Sequence, residues 1–139
     1  MGKKRIITKS GEGGKRVQAK AAKRRVAEGK LYIHSSYNNT KLLLTDKEGG
    51  ALVWSTAGAL GFSGARKATP YAAAKVGELL AESAENMGMK EVDIVVKGVG
   101  AGRESSIRSF ASKGVKIGSI KDDTPIPHGG PRPPRPRRV

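Results

Sequence analysis

A glycine-rich segment, GALGFSGARKATP over residues 58–70, ends in two cations directly before a predicted helix. Gly61 and Gly64 allow the backbone to come close to a partner, and Arg66 and Lys67 flank the helix N-terminus. Oriented backbone N–H groups and the positive end of the helix dipole favour an anion at such a place. The segment therefore predicts a phosphate-binding site. The alternative is that its glycines serve only a tight loop.

A second glycine-rich segment, KGVGAGRES, joins a predicted strand to a second predicted helix. Its candidate phosphate ligands are Lys97, Gly98, Gly100, Gly102 and Arg103. A dinucleotide-binding fingerprint would need a glycine where Arg103 stands, and the 37 residues after Gly102 cannot build the second half of a nucleotide-binding sheet. A backbone nest that holds a phosphate at the helix N-terminus fits better. Arg108, further along the same helix, extends this cationic track.

A third cationic segment is PHGGPRPPRPRRV, residues 127–139. Its prolines rule out a helix or a central strand. Its arginines are Arg132, Arg135, Arg137 and Arg138, and no acidic residue follows Asp123. The whole sequence holds 27 Lys and Arg against 12 Asp and Glu, a formal charge of +15. This balance is typical of a polyanion binder, with nucleic acid as the first choice, whereas the plainer interpretation is a solvated charged surface.

The elements that position these segments divide the chain into three parts. Residues 1–29 form a predicted basic arm that is disordered alone, with a short basic helix possible over residues 17–26. Residues 30–121 form a predicted α/β domain for nucleic-acid binding, and residues 122–139 a basic Pro/Arg-rich tail. Three short β-rich runs, KLYIHSS, KLLLTD and ALVWST, are separated by turn compositions and predict a meander. Alternation along the third run favours a core position for Trp54, and Tyr71 is left open between the core and a position that stacks on bases.

Two helices and two further strands complete the predicted domain. Thr69 is a plausible N-cap, Pro70 suits the first helical position, and Gly88 suits a left-handed stop. The apolar face of this helix consists of Val76, Leu80, Ala84 and Met87. The runs EVDIVVKG, GRESSIRSFASKG and VKIGSIKD predict strand, helix and strand, hence a parallel crossover. The fold class is therefore α/β, with a mixed sheet of about five strands and two main helices.

Several function classes find no support in the residue types. The chain has no cysteine and only two histidines, so no metal or cofactor site is expected. No apolar stretch approaches the ~18 residues of a bilayer span, and no signal peptide is visible, which predicts a soluble, cytoplasmic protein. A nuclease would need converging carboxylates to hold divalent metals, and the first strand, KLYIHSS, carries none. The chain is not expected to be an enzyme.

Four blocks of the sequence resemble the signature blocks of the universal small-subunit ribosomal protein numbered eleven, in its bacterial form. The blocks are IHSSYNNT, TDKEGGALVWSTAGALGFSGARKATPYAAAK, VKGVGAGRESSIRSF and SIKDDTPIPHGGPRPPRPRRV. They cover about residues 30–139 in order, and the basic arm shares with the family only its charge.

The resemblance implies a ribonuclease-H-like fold without an active site. It also implies a non-catalytic component of the small-subunit platform that bridges ribosomal RNA helices near the messenger exit channel and the Shine-Dalgarno cleft. The partners that it implies are small-subunit ribosomal RNA, the small-subunit proteins numbered seven and eighteen, and initiation factor three. A free RNA- or DNA-binding accessory protein is the alternative that the residues leave open.

The same resemblance transfers RNA-facing candidates by motif. They are Asn38, Asn39 and Thr40 in the hairpin, Gly61 to Lys67, Gly98 to Arg103, and His128 to Arg138 in the tail. Phe62, within the first glycine-rich segment, is the candidate for a ring that faces RNA. Because arginine side chains offer planar donors and prolines limit the freedom lost on docking, the tail is expected to fold onto RNA.

Overall fold

Five β-strands and two α-helices make up the part of the chain that the structure, a computed structural model, describes, residues 25–138. The elements in chain order are β1 (Glu28–Ser35), β2 (Thr40–Asp46), β3 (Ala51–Thr56), α1 (Pro70–Asn86), β4 (Glu91–Lys97), α2 (Arg103–Ala111) and β5 (Lys116–Asp122). The predicted α/β class, with five strands and two main helices, is confirmed. The helix predicted over residues 17–26 lies almost entirely outside the described residues, as does most of the predicted basic arm.

The strands form one mixed sheet in the order β3-β2-β1-β4-β5. The first three are antiparallel neighbours and form the predicted meander. β1 pairs in parallel with β4, and β4 pairs in parallel with β5, as a strand-helix-strand crossover requires. β1, β3, β4 and β5 therefore all run in the same direction, and β2 runs opposite to them.

The local signals for α1 are all found in the structure. The Thr69 side chain accepts a hydrogen bond from the Ala72 N–H at 3.3 Å, so it caps the helix. Pro70 is the first helical residue, where a missing N–H costs nothing. Gly88 has φ +73° and ends the helix in the left-handed conformation.

Both helices pack against one face of the sheet and form the core there. The predicted α1 face is fully buried, together with alternate residues of the strands and Phe110 of α2. Gly77 explains how α1 and α2 come so close, because a Cβ at this position would lie 2.8 Å from the carbonyl oxygen of Ser106. Neither helix has the length and apolar character to cross a bilayer, nor does any other helix within residues 25–138.

Trp54 is not a core residue, so that expectation is wrong. Its side chain is 63% exposed, whereas its neighbours Val53 and Ser55 are buried. β3 alternates between buried and exposed residues as predicted, but Trp54 belongs to the face of the sheet opposite the helices. Tyr71, for which the sequence left both options open, is 64% exposed at the start of α1.

Candidate nucleic-acid interface

The sheet topology gathers all the predicted binding segments at one edge. Because β1, β3, β4 and β5 run in the same direction, their carboxyl ends lie at the same edge of the sheet. The segments that follow these strands are the β1–β2 turn (36–39), the β3–α1 loop (57–69), the β4–α2 loop (98–102) and the tail (123–138). We call this set the carboxyl edge. Both α-helices also begin there, so their positive dipole ends face the same way.

Backbone hydrogen bonds between these segments fix the carboxyl edge. The Ala57 N–H donates to the carbonyl of Thr40 at 3.1 Å, which joins the β3–α1 loop to the β1–β2 hairpin. The Gly100 N–H donates to the carbonyl of Ser35 at 2.9 Å, and the Asp123 N–H donates to the carbonyl of Val96 at 2.9 Å. The four segments therefore start from one connected scaffold.

The β3–α1 loop consists of two short 3-10 helices, Gly58–Leu60 and Gly64–Ala68. Gly61 has φ +96° and Gly64 has φ +60°, and a Cβ at either position would meet no atom within 4 Å. These two glycines are needed for the left-handed turns and not for close packing. Arg66 is exposed and Lys67 is half-buried, and neither belongs to an ion pair formed within residues 25–138.

Two aromatic rings lie beside this loop in different environments. Phe62 is half-buried and packs against the core. It makes an edge-to-face contact with Tyr71, with ring centroids 6.0 Å apart and planes at 81°. Tyr71 is the more exposed ring, and the Lys75 ammonium lies 5.6 Å from its centroid. Tyr71 thus has more free ring surface than Phe62, the ring that the sequence favoured for RNA.

The glycines of the β4–α2 loop are required mainly by contacts within the protein. A Cβ on Gly102 would lie 2.5 Å from the Thr40 hydroxyl oxygen and 2.7 Å from the Ala73 Cβ. A Cβ on Gly100 would lie 2.3 Å from the Ser35 hydroxyl oxygen and 2.3 Å from the Ser36 carbonyl oxygen, both in the β1–β2 hairpin. Thr40, Gly100 and Gly102 are all buried. In this fold these three residues hold the hairpin against the loop, and direct RNA contact at them stays a prediction.

Arg103 connects the β4–α2 loop to the end of β5. Its guanidinium forms an ion pair with the Asp122 carboxylate at 2.5 Å and donates a hydrogen bond to the carbonyl of Gly98. The Thr124 hydroxyl also donates to Asp122, at 2.6 Å. The hydrogen bonds from Thr124 and Arg103 lower the pKa of Asp122 from its ordinary 3.8 to about 2. The acid partner of Arg103 is thus Asp122, and not the adjacent Glu104.

The cations of the carboxyl edge fall into a paired and an unpaired group. Lys97 lies 3.9 Å from Asp123, and Arg103 pairs with Asp122. The two cations that flank the β4–α2 loop therefore each face an acid where the tail begins. Within the described residues, the unpaired cations of the β3–α1 loop and of the tail are Arg66, Lys67, Arg132, Arg135, Arg137 and Arg138. Arg108 is exposed in the last turn of α2, the end of the helix that lies farther from the carboxyl edge.

The remaining predicted residues lie in the turn and the tail. Asn38 is exposed at the tip of the β1–β2 turn, and the Asn39 side-chain oxygen accepts the Thr40 N–H at 2.9 Å. His128 and the four tail arginines are exposed. Beyond Thr124, whose hydroxyl accepts the Gly98 N–H at 3.3 Å, the tail leaves the domain.

A family model described as Ribosomal protein S11 matches residues 29–138. The match includes the sheet except its first residue, both helices and every segment of the carboxyl edge. The chain belongs to the ribosomal protein S11 family. Members of this family are structural, non-enzymatic proteins of the small ribosomal subunit that bind ribosomal RNA. The carboxyl edge, with its unpaired cations, is the surface of this family member that best suits an RNA phosphate backbone.

Sequence reasoning missed the residues that anchor the tail of this family member. Asp122 and Thr124 bind the Arg103 side chain and the Gly98 backbone across 19 to 26 residues of sequence. A local signal was present. The Thr124 N–H donates to the Asp122 side chain at 3.1 Å, and aspartate commonly accepts a hydrogen bond from the backbone two residues further on in such turns. The pairing of this turn with Arg103 has no sequence signal.

Proposed function

We propose that this protein is a platform component of the small subunit that bridges ribosomal RNA helices near the messenger exit channel and the Shine-Dalgarno cleft. The observation that carries the bridging role is the separation of unpaired cations into two groups at the carboxyl edge. One group, Arg66 and Lys67, follows β3, and the other, the tail arginines, follows β5. The position on the platform is supported by the resemblance of the four sequence blocks.

The spacing of the strands sets the distance between these two groups of cations. β3 and β5 are the two outer strands of the five, four inter-strand steps apart. At ~4.8 Å per step, the loop after β3 and the start of the tail are about 19 Å apart. Between them lie Arg103 and Lys97, both of which already face carboxylates. Two groups of unpaired loop and tail cations, with the paired cations Arg103 and Lys97 between them, suit two RNA segments better than one.

Directed hydroxyl-radical probing tests this proposal, because the chain has no native cysteine and each introduced one is unique. An iron chelate is attached to Ala65→Cys in the β3–α1 loop and to Ile126→Cys in the tail, both at exposed positions. Glu48→Cys, in the β2–β3 turn at the opposite edge, serves as the matched control. In reconstituted small subunits, the first two probes should cleave different RNA helices of the platform, and the control should cleave neither set strongly.

Two results would count against this proposal. Cleavage of the same single helix from positions 65 and 126 would contradict the bridging role. Cleavage mapped outside the platform would contradict the location. Retention of the full chain on small subunits through a high-salt wash separates a ribosomal component from a free RNA-binding accessory protein.

We also propose that the protein partners are the small-subunit proteins numbered seven and eighteen, that initiation factor three binds nearby, and that the protein acts in the cytoplasm. These assignments are supported by the family resemblance alone. Crosslinks from the same single-cysteine variants in assembled subunits would identify the neighbouring proteins directly. A crosslinked set without either numbered protein would contradict the partner assignment.

A further inference from the structure

The face of the sheet opposite the helices carries exposed aromatic and basic side chains. Alternation places Tyr32 and His34 of β1, Lys41 and Leu43 of β2, and Trp54 of β3 on this face. Their sequence neighbours on the same strands point into the core. These five side chains line one shallow groove. We call this surface the open face.

The strand register arranges these side chains in two adjacent rows. In the first row Tyr32 is opposite Leu43, Leu43 is opposite Trp54, and Val95 of β4 is beside Tyr32. The second row, one pleat closer to the carboxyl edge, consists of Lys97, His34, Lys41 and Thr56. Opposed side chains in such rows are ~5 Å apart, and successive rows are ~7 Å apart along a strand. An apolar and aromatic row therefore lies directly beside a basic one.

The charges of the open face are separated along the strands. Acidic residues occupy the opposite end, where Glu28 pairs with Lys47, Glu91 pairs with Lys116 at 3.7 Å, and Asp93 accepts a hydrogen bond from Ser119. In the second row, Lys41 and His34 have no acidic partner within the described residues. A polyanion would be attracted to the row nearest the carboxyl edge more than to the far end, where two of the acids face lysines.

An exposed indole next to an unpaired lysine combines the two features that hold single-stranded RNA. Bases stack on aromatic rings because every base has a π-face, and a nearby cation neutralises the backbone phosphate. We propose that the open face binds a single-stranded RNA segment, with a base stacked on Trp54 and a phosphate beside Lys41. An acidic protein partner would match Lys41 as well, but the continuity of this row with the cationic carboxyl edge favours RNA. This inference rests on the proposed RNA-binding function. It adds the open face as a second binding surface and single-stranded RNA as the ligand of that surface.

The single tryptophan of the sequence makes the test specific, because all indole fluorescence comes from Trp54. The full chain is titrated with a labelled oligouridine of about ten nucleotides and with an RNA duplex of similar length. Anisotropy of the label reports all binding, whereas quenching of the indole reports only the open face. We expect the single strand to quench Trp54 and the duplex to bind without quenching it.

Substitutions then separate stacking from charge. Trp54→Ala should weaken single-strand binding by about 5- to 150-fold, the effect of losing one base stack, and Trp54→Phe should restore most of it. Lys41→Gln should move the midpoint of the quenching titration to a higher RNA concentration. Lys90→Gln removes the same charge from an exposed residue before β4, at the opposite edge, and should leave that midpoint in place.

Each alternative occupant gives a different result, and each would overturn the inference. Saturated anisotropy without indole quenching would exclude the open face and leave the proposed function intact. Quenching that rises with protein concentration without RNA would indicate a second copy of the chain. Quenching caused only by added small-subunit proteins would indicate a protein-docking surface. Absence of any anisotropy change would instead contradict the proposed RNA-binding function itself.

Discussion

Deletion of residues 127–139 should leave the domain folded and weaken its binding to small-subunit ribosomal RNA. Within residues 25–138, the last hydrogen bonds between tail and domain are those of Asp123 and Thr124, and residues 127–138 are exposed. The cut therefore falls beyond the anchor formed by Asp122, Thr124 and Arg103. The melting temperature of the truncated protein should equal that of the full chain.

The size of the RNA-binding effect follows from the four unpaired arginines that the deletion removes. If each arginine neutralises one phosphate, the slope of log affinity against log salt falls by about 0.7 to 0.9 per arginine, or by roughly 3 in total. Between about 50 and 200 mM salt, the full chain should then lose roughly 50- to 150-fold more affinity than the truncated one. Filter binding across this salt range measures the slope directly.

Two control variants determine whether the arginine charges are the cause. The first replaces the four tail arginines with glutamine, which keeps the prolines and the length, and it should reproduce the slope of the deletion. The second removes four charges from the opposite edge of the sheet and should change the slope much less. Its substitutions are Lys47→Gln, Lys90→Gln, Lys113→Gln and Lys116→Gln. An unchanged slope in both tail variants would refute the assignment of phosphate contacts to the tail.

Three further predictions concern the anchor and the loop packing. Arg103→Ala should lower the free energy of unfolding by about 1–3 kcal/mol, because it removes a charged hydrogen bond to the Gly98 carbonyl; an unchanged urea midpoint would contradict this. Because folding lowers the pKa of Asp122 from 3.8 to about 2, its carboxylate stabilises the fold fully above pH 3.8 and loses this effect as the pH falls through about 2. The stability difference between the wild type and Asp122→Asn should therefore shrink over this window, and a constant difference would refute the linkage. Gly102→Ala should cost roughly 1–3 kcal/mol by overpacking against Thr40, whereas a melting temperature equal to that of the wild type would show that the hairpin yields freely.

Most of the fold could be predicted because its signals are local. The strands alternate with period two, and α1 carries a cap at Thr69, a proline at Pro70 and a stop at Gly88 within its own sequence. The misplacement of Trp54 has a different origin. Alternation divides a strand into two faces, but which face the helices cover depends on how α1 and α2 pack on the finished sheet. With both helices on one face, the face that holds Trp54 stays open.

The candidate site was predictable in its segments and not in its contacts. Glycines and cations identified the two loops, and prolines with arginines identified the tail. The glycines, however, have two different roles that look the same in sequence. Gly61 permits a left-handed turn in open space, whereas Gly102 permits close packing against Thr40. The pairing of Arg103 with Asp122, 19 residues away, likewise appears only when β4 and β5 lie side by side.

The acids at the start of the tail determine how net charge is distributed along the carboxyl edge. Asp122 and Asp123 face Arg103 and Lys97, so the centre of the edge carries little net charge although it holds two cations. Without these acids the edge would be one continuous positive surface, able to attract a single phosphate backbone in many registers. With them, the unpaired charge of the loops and the tail is divided between Arg66 with Lys67 on one side and the tail arginines on the other. Opposed regions of this kind favour an arrangement in which two RNA segments are held at a fixed separation, which is the physical requirement for a protein that bridges them.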